Sequence, residues 1–163
     1  MPAEGGPWIL IATFCRDVTD AGQGELSLEH LVGTLTFDTQ DPEAPEVMPE
    51  IDHELLLVVS ILPAPGQVAA NVVFGIQAPD GHRGLGSPMA IQFPSEKPAI
   101  TLLVPLQMRL HMEGLHFAEV YVDERLLTRV PLEVVYVRRP AATTPSSKRS
   151  STRARAAAKR AQS

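Results

Sequence analysis

The chain has 163 residues, 44% hydrophobic and 20% charged, which is the composition of an ordinary globular domain with one core of useful size. No apolar run approaches the roughly 18 residues of a membrane span, the N-terminus lacks the basic region of a secretory signal, and Cys15 is the only cysteine, so an internal disulfide and a cysteine-based zinc site are excluded. These features predict a cytoplasmic protein, or a component of a particle assembled there, and no membrane partner. The formal net charge of −5 conceals a split. All 19 acidic residues lie at or before Glu133, and residues 1–137 contain six basic ones, a net −13; residues 138–163 carry eight basic residues and no acid. Such asymmetry points to separate roles for the two segments.

In chain order, PWILIATFC (Pro7–Cys15) is a short apolar run rich in β-formers and reads as a buried strand. Asp17–Glu25 reads as a loop from its Gly and Asp content. Leu26–Phe37 is long enough for one strand with a bend, and Gly33 is the natural place for a bulge or a close approach. Asp38–Glu50 holds three prolines and five acids and reads as a loop. His53–Leu62 has the length of a helix or a strand. Val58, Val59 and Ile61 are β-branched and PAPG follows at once, which favours a strand. Val68–Ala78 then predicts an antiparallel partner joined through that Pro-Gly turn. Pro79–Pro88 reads as a flexible loop, Met89–Phe93 as a short strand and Pro94–Pro98 as a turn. Ala99–Met112 is a further strand whose Pro105 demands an edge position or a bulge.

The last pair is the best patterned. In His116–Val122, Val120 and Val122 share one face, and Glu119 and Tyr121 the other. In Arg125–Val137, Leu126, Val130, Leu132 and Val134 share a face that Arg129 and Glu133 avoid. A period of two puts the valines and leucines in the core and Glu119, Tyr121, Arg129 and Glu133 toward solvent. Short strands at near-regular spacing, with turns between them and no long amphipathic helix, predict an all-β fold: an antiparallel β-sandwich of about 7–8 strands, with a β-barrel as the alternative. The sandwich is expected over 1–137 and a disordered basic tail over 138–163, because Ser, Thr, Ala, Pro and basic residues bury too little apolar surface to offset chain entropy.

AGQGELSLEHLVGTLTF near the start and GLHFAEVYVDERLLTRVPLEV near the end resemble an uncharacterised bacterial family of small β-rich, sandwich-like proteins. The resemblance spans most of residues 7–137. It implies a strand, a Gly-containing loop and a strand ending near Gly, then a closing strand–turn–strand pair; it implies no catalytic residue. Its closing turn commonly reads Asp-Gly, whereas this chain has Asp123-Glu124. Glu resists the positive φ that a two-residue type I′ turn requires, so a longer loop built on a type I turn is expected at Asp123, Glu124 and Arg125.

Motifs for chemistry are sparse. His30, His53, His82, His111 and His116 contain no H-E-x-x-H spacing, and only a turn can bring His111 and His116 together. Cys15 has no adjacent base to lower its pKa and reads as a small buried apolar residue. GHRGLG (Gly81–Gly86) has neither Rossmann nor P-loop spacing, and no helix is expected after it. Asp38, Asp41 and Glu43 offer oxygens for calcium, but without the D-x-D-x-D-G pattern, and the intervening prolines limit their convergence. No cofactor is implied. The basic tail is the clearest functional signal: Lys148, Arg149, Arg153, Arg155, Lys159 and Arg160 can contact nucleic acid or an acidic protein. Without aromatic residues to stack on bases, nucleic-acid binding would be sequence-independent, with a salt slope of about −7 if all eight cations met phosphates.

The sequence therefore reads as a non-enzymatic interaction or structural domain, with a tail that tethers it to an acidic partner or to nucleic acid. A component of a phage or compartment assembly is one alternative. A small metal-dependent or hydrolytic enzyme is another, and two or more of His53, His82, His111, Asp38 and Asp52 converging in one cleft would reverse the preference toward it.

Overall fold

The structure is a computed structural model, and it describes residues 5–139. Ten strands form two stacked sheets that do not close into a barrel. The four-stranded sheet has the order β2-β1-β4-β8, built from β1 (Trp8–Gly22), β2 (Glu25–Leu31), β4 (Ile51–Leu62) and β8 (Ile100–Leu110). The six-stranded sheet runs β3-β10-β9-β5-β6, from β3 (Thr34–Thr39), β10 (Arg125–Arg138), β9 (Gly114–Val122), β5 (Ala69–Gln77) and β6 (Arg83–Leu85). The short β7 (Met89–Gln92) pairs with the first half of β5, beside the stretch that β6 takes. All pairings are antiparallel except β3 with β10. With β1-β4-β8 facing β10-β9-β5, the sheets share the strand order of an immunoglobulin-like sandwich. No helix among the described residues is long and apolar enough to cross a membrane.

The sandwich is the expected fold, and several local expectations are corrected. Asp17–Glu25 is not a loop. β1 and β2 pair out to Gly22 and Glu25, because Gln23 and Gly24 both take positive φ (55° and 81°) and make a tight two-residue turn. Leu26–Phe37 is two strands in different sheets. Val32 donates its N–H to Phe14 O in one sheet at 2.9 Å, and Gly33 O accepts the Glu133 N–H in the other at 2.9 Å. β4 and β5 are not a hairpin: β1 and β8 occupy both edges of β4, so the chain crosses to the second sheet through PAPG. Pro105 sits on β8, which is an edge strand, as its missing N–H requires.

The Asp123-Glu124 turn also differs from expectation. Both residues have positive φ, 46° and 65°, and Val122 pairs with Arg125, so the loop has two residues. Asp123 fixes it from outside the hairpin. Its Oδ1 accepts the Asn71 N–H at 2.9 Å, its Oδ2 accepts a Gln67 Nε2–H at 3.1 Å, and its own N–H donates to Asn71 O at 2.8 Å. These tertiary bonds offset the backbone cost that local preference assigns to Glu124.

The core lies between the sheets. Leu57, Val59 and Ile61 from β4 meet Val120 and Val122 from β9 and Leu132 and Val134 from β10, all buried. Each such side chain contributes about 1.5–3 kcal/mol.

Candidate functional site

Two places gather polar side chains. The first is on the outer side of the six-stranded sheet. Alternation along β9 turns Ala118, Val120 and Val122 inward and Glu119 outward, yet Glu119 is 0% exposed. Side chains from three strands cover it. Arg83 of β6 reaches its Oε2 through Nε at 2.7 Å and its Oε1 through Nη2 at 3.1 Å. Arg129 of β10 reaches Oε1 at 3.0 Å, and the Tyr121 hydroxyl donates to Oε2 at 2.9 Å. The Tyr121 phenol is pushed up by that bond to Glu119 and by burial, so it stays a neutral donor. Gly75 of β5, directly paired with Glu119, leaves the space this arrangement needs. A Cβ at Gly75 would stand 2.6 Å from Leu85 Cδ2 and 3.8 Å from Glu119 Oε2.

The expectation that Glu119 faces solvent is therefore corrected. Alternation decides the side of a sheet; long side chains from neighbouring strands decide exposure. A signal was present in the sequence: one carboxylate stands in the otherwise apolar or aromatic His116–Val122, and only six basic residues in 1–137 can pair with it. Leu126 is also corrected. The register of β10 shifts between Leu126 and Thr128, which places Leu126 opposite Tyr121 on the outer side, exposed, while Val130, Leu132 and Val134 stay inside. Around the clamp the outer face is apolar, with Leu115 and Leu126 exposed, Tyr121 half-buried, and Arg129 5.8 Å from the centroid of the half-buried Phe117 ring. The Arg83 and Arg129 side chains are 40% and 43% exposed. Two guanidiniums thus share one carboxylate and keep donors facing outward.

The second place is a cleft of about 690 Å³ between edge strand β8 and the β5–β6 side of the other sheet. Its apolar wall includes Phe74, Ile76, Leu106 and Met108, and its polar groups are Glu50, Asp80, His82, Gln107, Arg109, His111 and His116. His116 points inward from β9 and is 2% exposed. Its Nδ1 lies 3.2 Å from Gly114 O; a carbonyl only accepts, so Nδ1 carries the proton. Nε2 is then an acceptor, and it is buried without a hydrogen-bond partner. Burial pushes the His116 pKa down against the opposing bond to Gly114 O, with the nearby His111 adding to the lowering and Asp80 opposing it, so the ring is neutral near pH 7. At the mouth, His111 Nε2 lies 3.7 Å from Asp80 Oδ2, and Asp80 Oδ1 accepts the His82 N–H at 2.9 Å. Among the described residues, no Ser, Thr, Cys, Lys or Tyr lines the cleft.

Of the five residues whose convergence would favour an enzyme, His82 and His111 share this cleft. His53 and Asp52 share a second depression and Asp38 lines a third, so the condition that would favour an enzyme, two of the five in one cleft, is met twice. Asp38 is held by Arg139 at 2.8 Å, and Asp41 accepts the Glu43 N–H at 2.9 Å, so these carboxylates organise their own loop. Among the described residues, no group of three or more His, Cys, Asp or Glu is placed to hold a metal ion. Cys15 is fully buried, and burial followed by the charge of Asp17 pushes its thiol up, opposite to what a nucleophile needs. Gly81–Gly86, expected as a flexible loop, contains β6 and delivers Arg83 to Glu119. Arg138 closes β10 and donates to Pro42 O at 2.7 Å. Lys148, Arg149, Arg153, Arg155, Lys159 and Arg160 lie outside the described residues.

No family model and no curated protein matches the chain. Among solved structures, the alkylpurine DNA glycosylase AlkC of Pseudomonas fluorescens, bound to DNA containing an abasic-site analogue, is similar at 12% identity and a TM-score of 0.30. The likeness covers 63% of this chain and 28% of that one, so the chain matches well under two thirds of that protein's length. At that score the likeness carries no argument about function.

Proposed function

We propose that the chain is a non-enzymatic interaction module that docks a carboxylate-bearing protein through the outer face of the six-stranded sheet. The observation that carries this reading is the Arg83–Glu119–Arg129 clamp: two partly exposed guanidiniums around one buried carboxylate, set in an apolar rim. Charge complementarity selects the partner's chemistry. Residues 1–137 carry −13 overall, so an acidic group is repelled from most of the surface and attracted here. An aromatic and arginine-centred patch with apolar surroundings has the composition of an interface core. The basic residues from Lys148 to Arg160 would act as a second, sequence-independent electrostatic contact. A cytoplasmic setting and a likeness to β-rich bacterial proteins of unknown function are part of the same reading. The hydrolytic alternative is a second reading, carried by His82 and His111 in one cleft beside Asp80, a set that fits a general base acting on water.

The test is capture from nuclease-treated extract of the native host with three full-length chains: the parent, a Leu115→Glu/Leu126→Glu variant, and one with Lys148, Arg149, Arg153, Arg155, Lys159 and Arg160 all changed to Gln. A protein retained by the parent and the Gln variant, lost from the Glu variant, and able to shift the Nε–H resonances of Arg83 and Arg129 supports docking on this face. Retention that depends on the basic residues and leaves those resonances unmoved overturns it.

A further inference from the structure

The inter-sheet cleft borders that docking face at Gly75 and Leu85 but includes none of Arg83, Glu119 and Arg129, and it has its own unexplained feature. We propose that it binds a small amphipathic molecule: an apolar ring or short alkyl body whose amine or other N–H donor is accepted by Nε2 of His116. Three observations converge. The volume of about 690 Å³ is that of a small-molecule site, and its inner wall of Phe74, Ile76, Leu106 and Met108 suits an apolar body. His116 supplies one fixed acceptor. Its Nδ1–H is committed to Gly114 O at 3.2 Å, so Nε2 holds a lone pair without a partner among the described residues; that atom is closed off at the inner end of the cleft, and a ligand donor reaches it by displacing a wall side chain. A buried unpaired acceptor is costly, and a donor brought by a ligand removes that cost.

The mouth then decides the sign of the ligand. Glu50 and Asp80 both line it, against Arg109 as the permanent cation among the described lining residues. The Arg109 guanidinium is already engaged by Glu50 at 3.3 Å and Asp52 at 3.2 Å. An amine meets attraction at such a rim and a carboxylate meets repulsion.

Benzylamine is a suitable probe, with phenylacetate as the anion of similar shape. The full chain is titrated with each while the ring nitrogens of His116 are followed by 15N NMR. Benzylamine is expected to move the His116 Nε2 resonance saturably away from its free-acceptor position, and to bind about tenfold more tightly than phenylacetate. His116→Asn retains a side-chain N–H for Gly114 O and leaves no acceptor at the Nε2 position, since the shorter amide ends before it; it should weaken benzylamine binding by about tenfold. An Nε2 resonance that stays fixed in the parent overturns the proposal, whether or not the variant folds. Equal binding of phenylacetate overturns it too, as does a folded His116→Asn chain that binds like the parent. The other four histidines do not interfere, because the His116 ring is assigned in the parent by through-bond correlation to its own backbone.

Discussion

The outer faces of the two sheets solve the same problem by opposite means. On the four-stranded sheet, three adjacent strands present the rows Ile11–Ser60–Thr101, Thr13–Val58–Leu103 and Cys15–Leu56–Pro105, and none of these nine residues is charged. Cys15 and Val58 are nonetheless buried within this uncharged grid. On the six-stranded sheet the corresponding centre is Arg83–Glu119–Arg129, and Glu119 is buried under charged and phenolic groups. Flat faces of both kinds can bury a side chain. The first does so with interchangeable apolar contacts. The second uses directional bonds from three strands, so it is more specific and more fragile.

The largest effect lies beneath both faces. Leu132→Asp places a carboxylate where Leu132 is fully buried and has no partner group, so loss of about 4 kcal/mol or more is expected, enough to abolish the folded baseline in a thermal melt. Both faces should collapse together. Retention of the parent melting temperature would show that the inner surface is wrongly assigned.

Next comes the clamp itself. Glu119→Ala removes the shared carboxylate, leaving Arg83, Arg129 and Tyr121 without it. Removing one member of a fully buried pair costs about 3–5 kcal/mol. Both arginines are partly exposed and can turn to water, so about 2–3 kcal/mol is expected by denaturant titration. A double-mutant cycle with Arg129→Ala should then show that the two changes are not additive. On the other face, Val58→Ala should cost about 1–2 kcal/mol and couple to no single partner.

Gly75→Ala probes the clamp's support. The new Cβ meets Leu85 Cδ2 at 2.6 Å and Gly84 O at 3.1 Å, so β6 must move and Arg83 with it. A loss of about 1–3 kcal/mol is expected, with faster amide exchange confined to β6 and its partner residues on β5. Gly33→Ala is the control. Nothing lies within 4 Å of its added Cβ and its φ is not positive, so stability should change by less than about 0.5 kcal/mol.

These cases show what was legible in the sequence and what was not. Alternation along Val130–Val134 located the inner surface because every residue there obeys a period of two. The Glu119 clamp was hidden because Arg83 is 36 residues away in a segment whose Gly content reads as loop. The hairpin of β1 with β2 was hidden for a similar reason: Gly and Asp mark turns, and they did not reveal that pairing runs right up to this one. The Asp123 turn depends on Gln67 and Asn71, which lie more than fifty residues before it. Period-two patterning is local information; pairing across sheets, cover by long side chains and tertiary support for a strained turn are not.

A gentler effect comes from the interior between the faces. Burial, the larger cause, and then the charge of Arg16 push His53 down; burial and then His111 push His116 down. Both therefore bind a proton less readily folded than unfolded. The sign follows from linkage: their contribution is intact above the ordinary histidine value of about 6.5 and is lost as pH falls below it toward the folded values. Melting temperature should drop between pH 7 and pH 5, and the drop should be smaller in His116→Asn. An unchanged slope in that variant would assign the effect to other groups.

The smallest effect is the most useful for comparing the faces. Ile11 and Leu103 are 49% and 44% exposed in the uncharged grid, so Ile11→Lys or Leu103→Lys should change stability by no more than about 0.5 kcal/mol in a free monomer. The exposed part of each side chain loses little on becoming a lysine, whose stem still covers the neighbours. The result becomes informative when paired with sedimentation. If the parent is monomeric and both variants sediment alike, the grid is a solvent-tolerant face, and recognition falls to the arginine-centred side. If the parent is larger than one chain and either lysine reduces it to one, the uncharged face is itself occupied, by a second copy. The division of labour would then be self-association on one sheet and an acidic partner on the other, because a centred lysine opposes its own copy across a symmetric contact, whereas the clamp's guanidiniums already oppose one another.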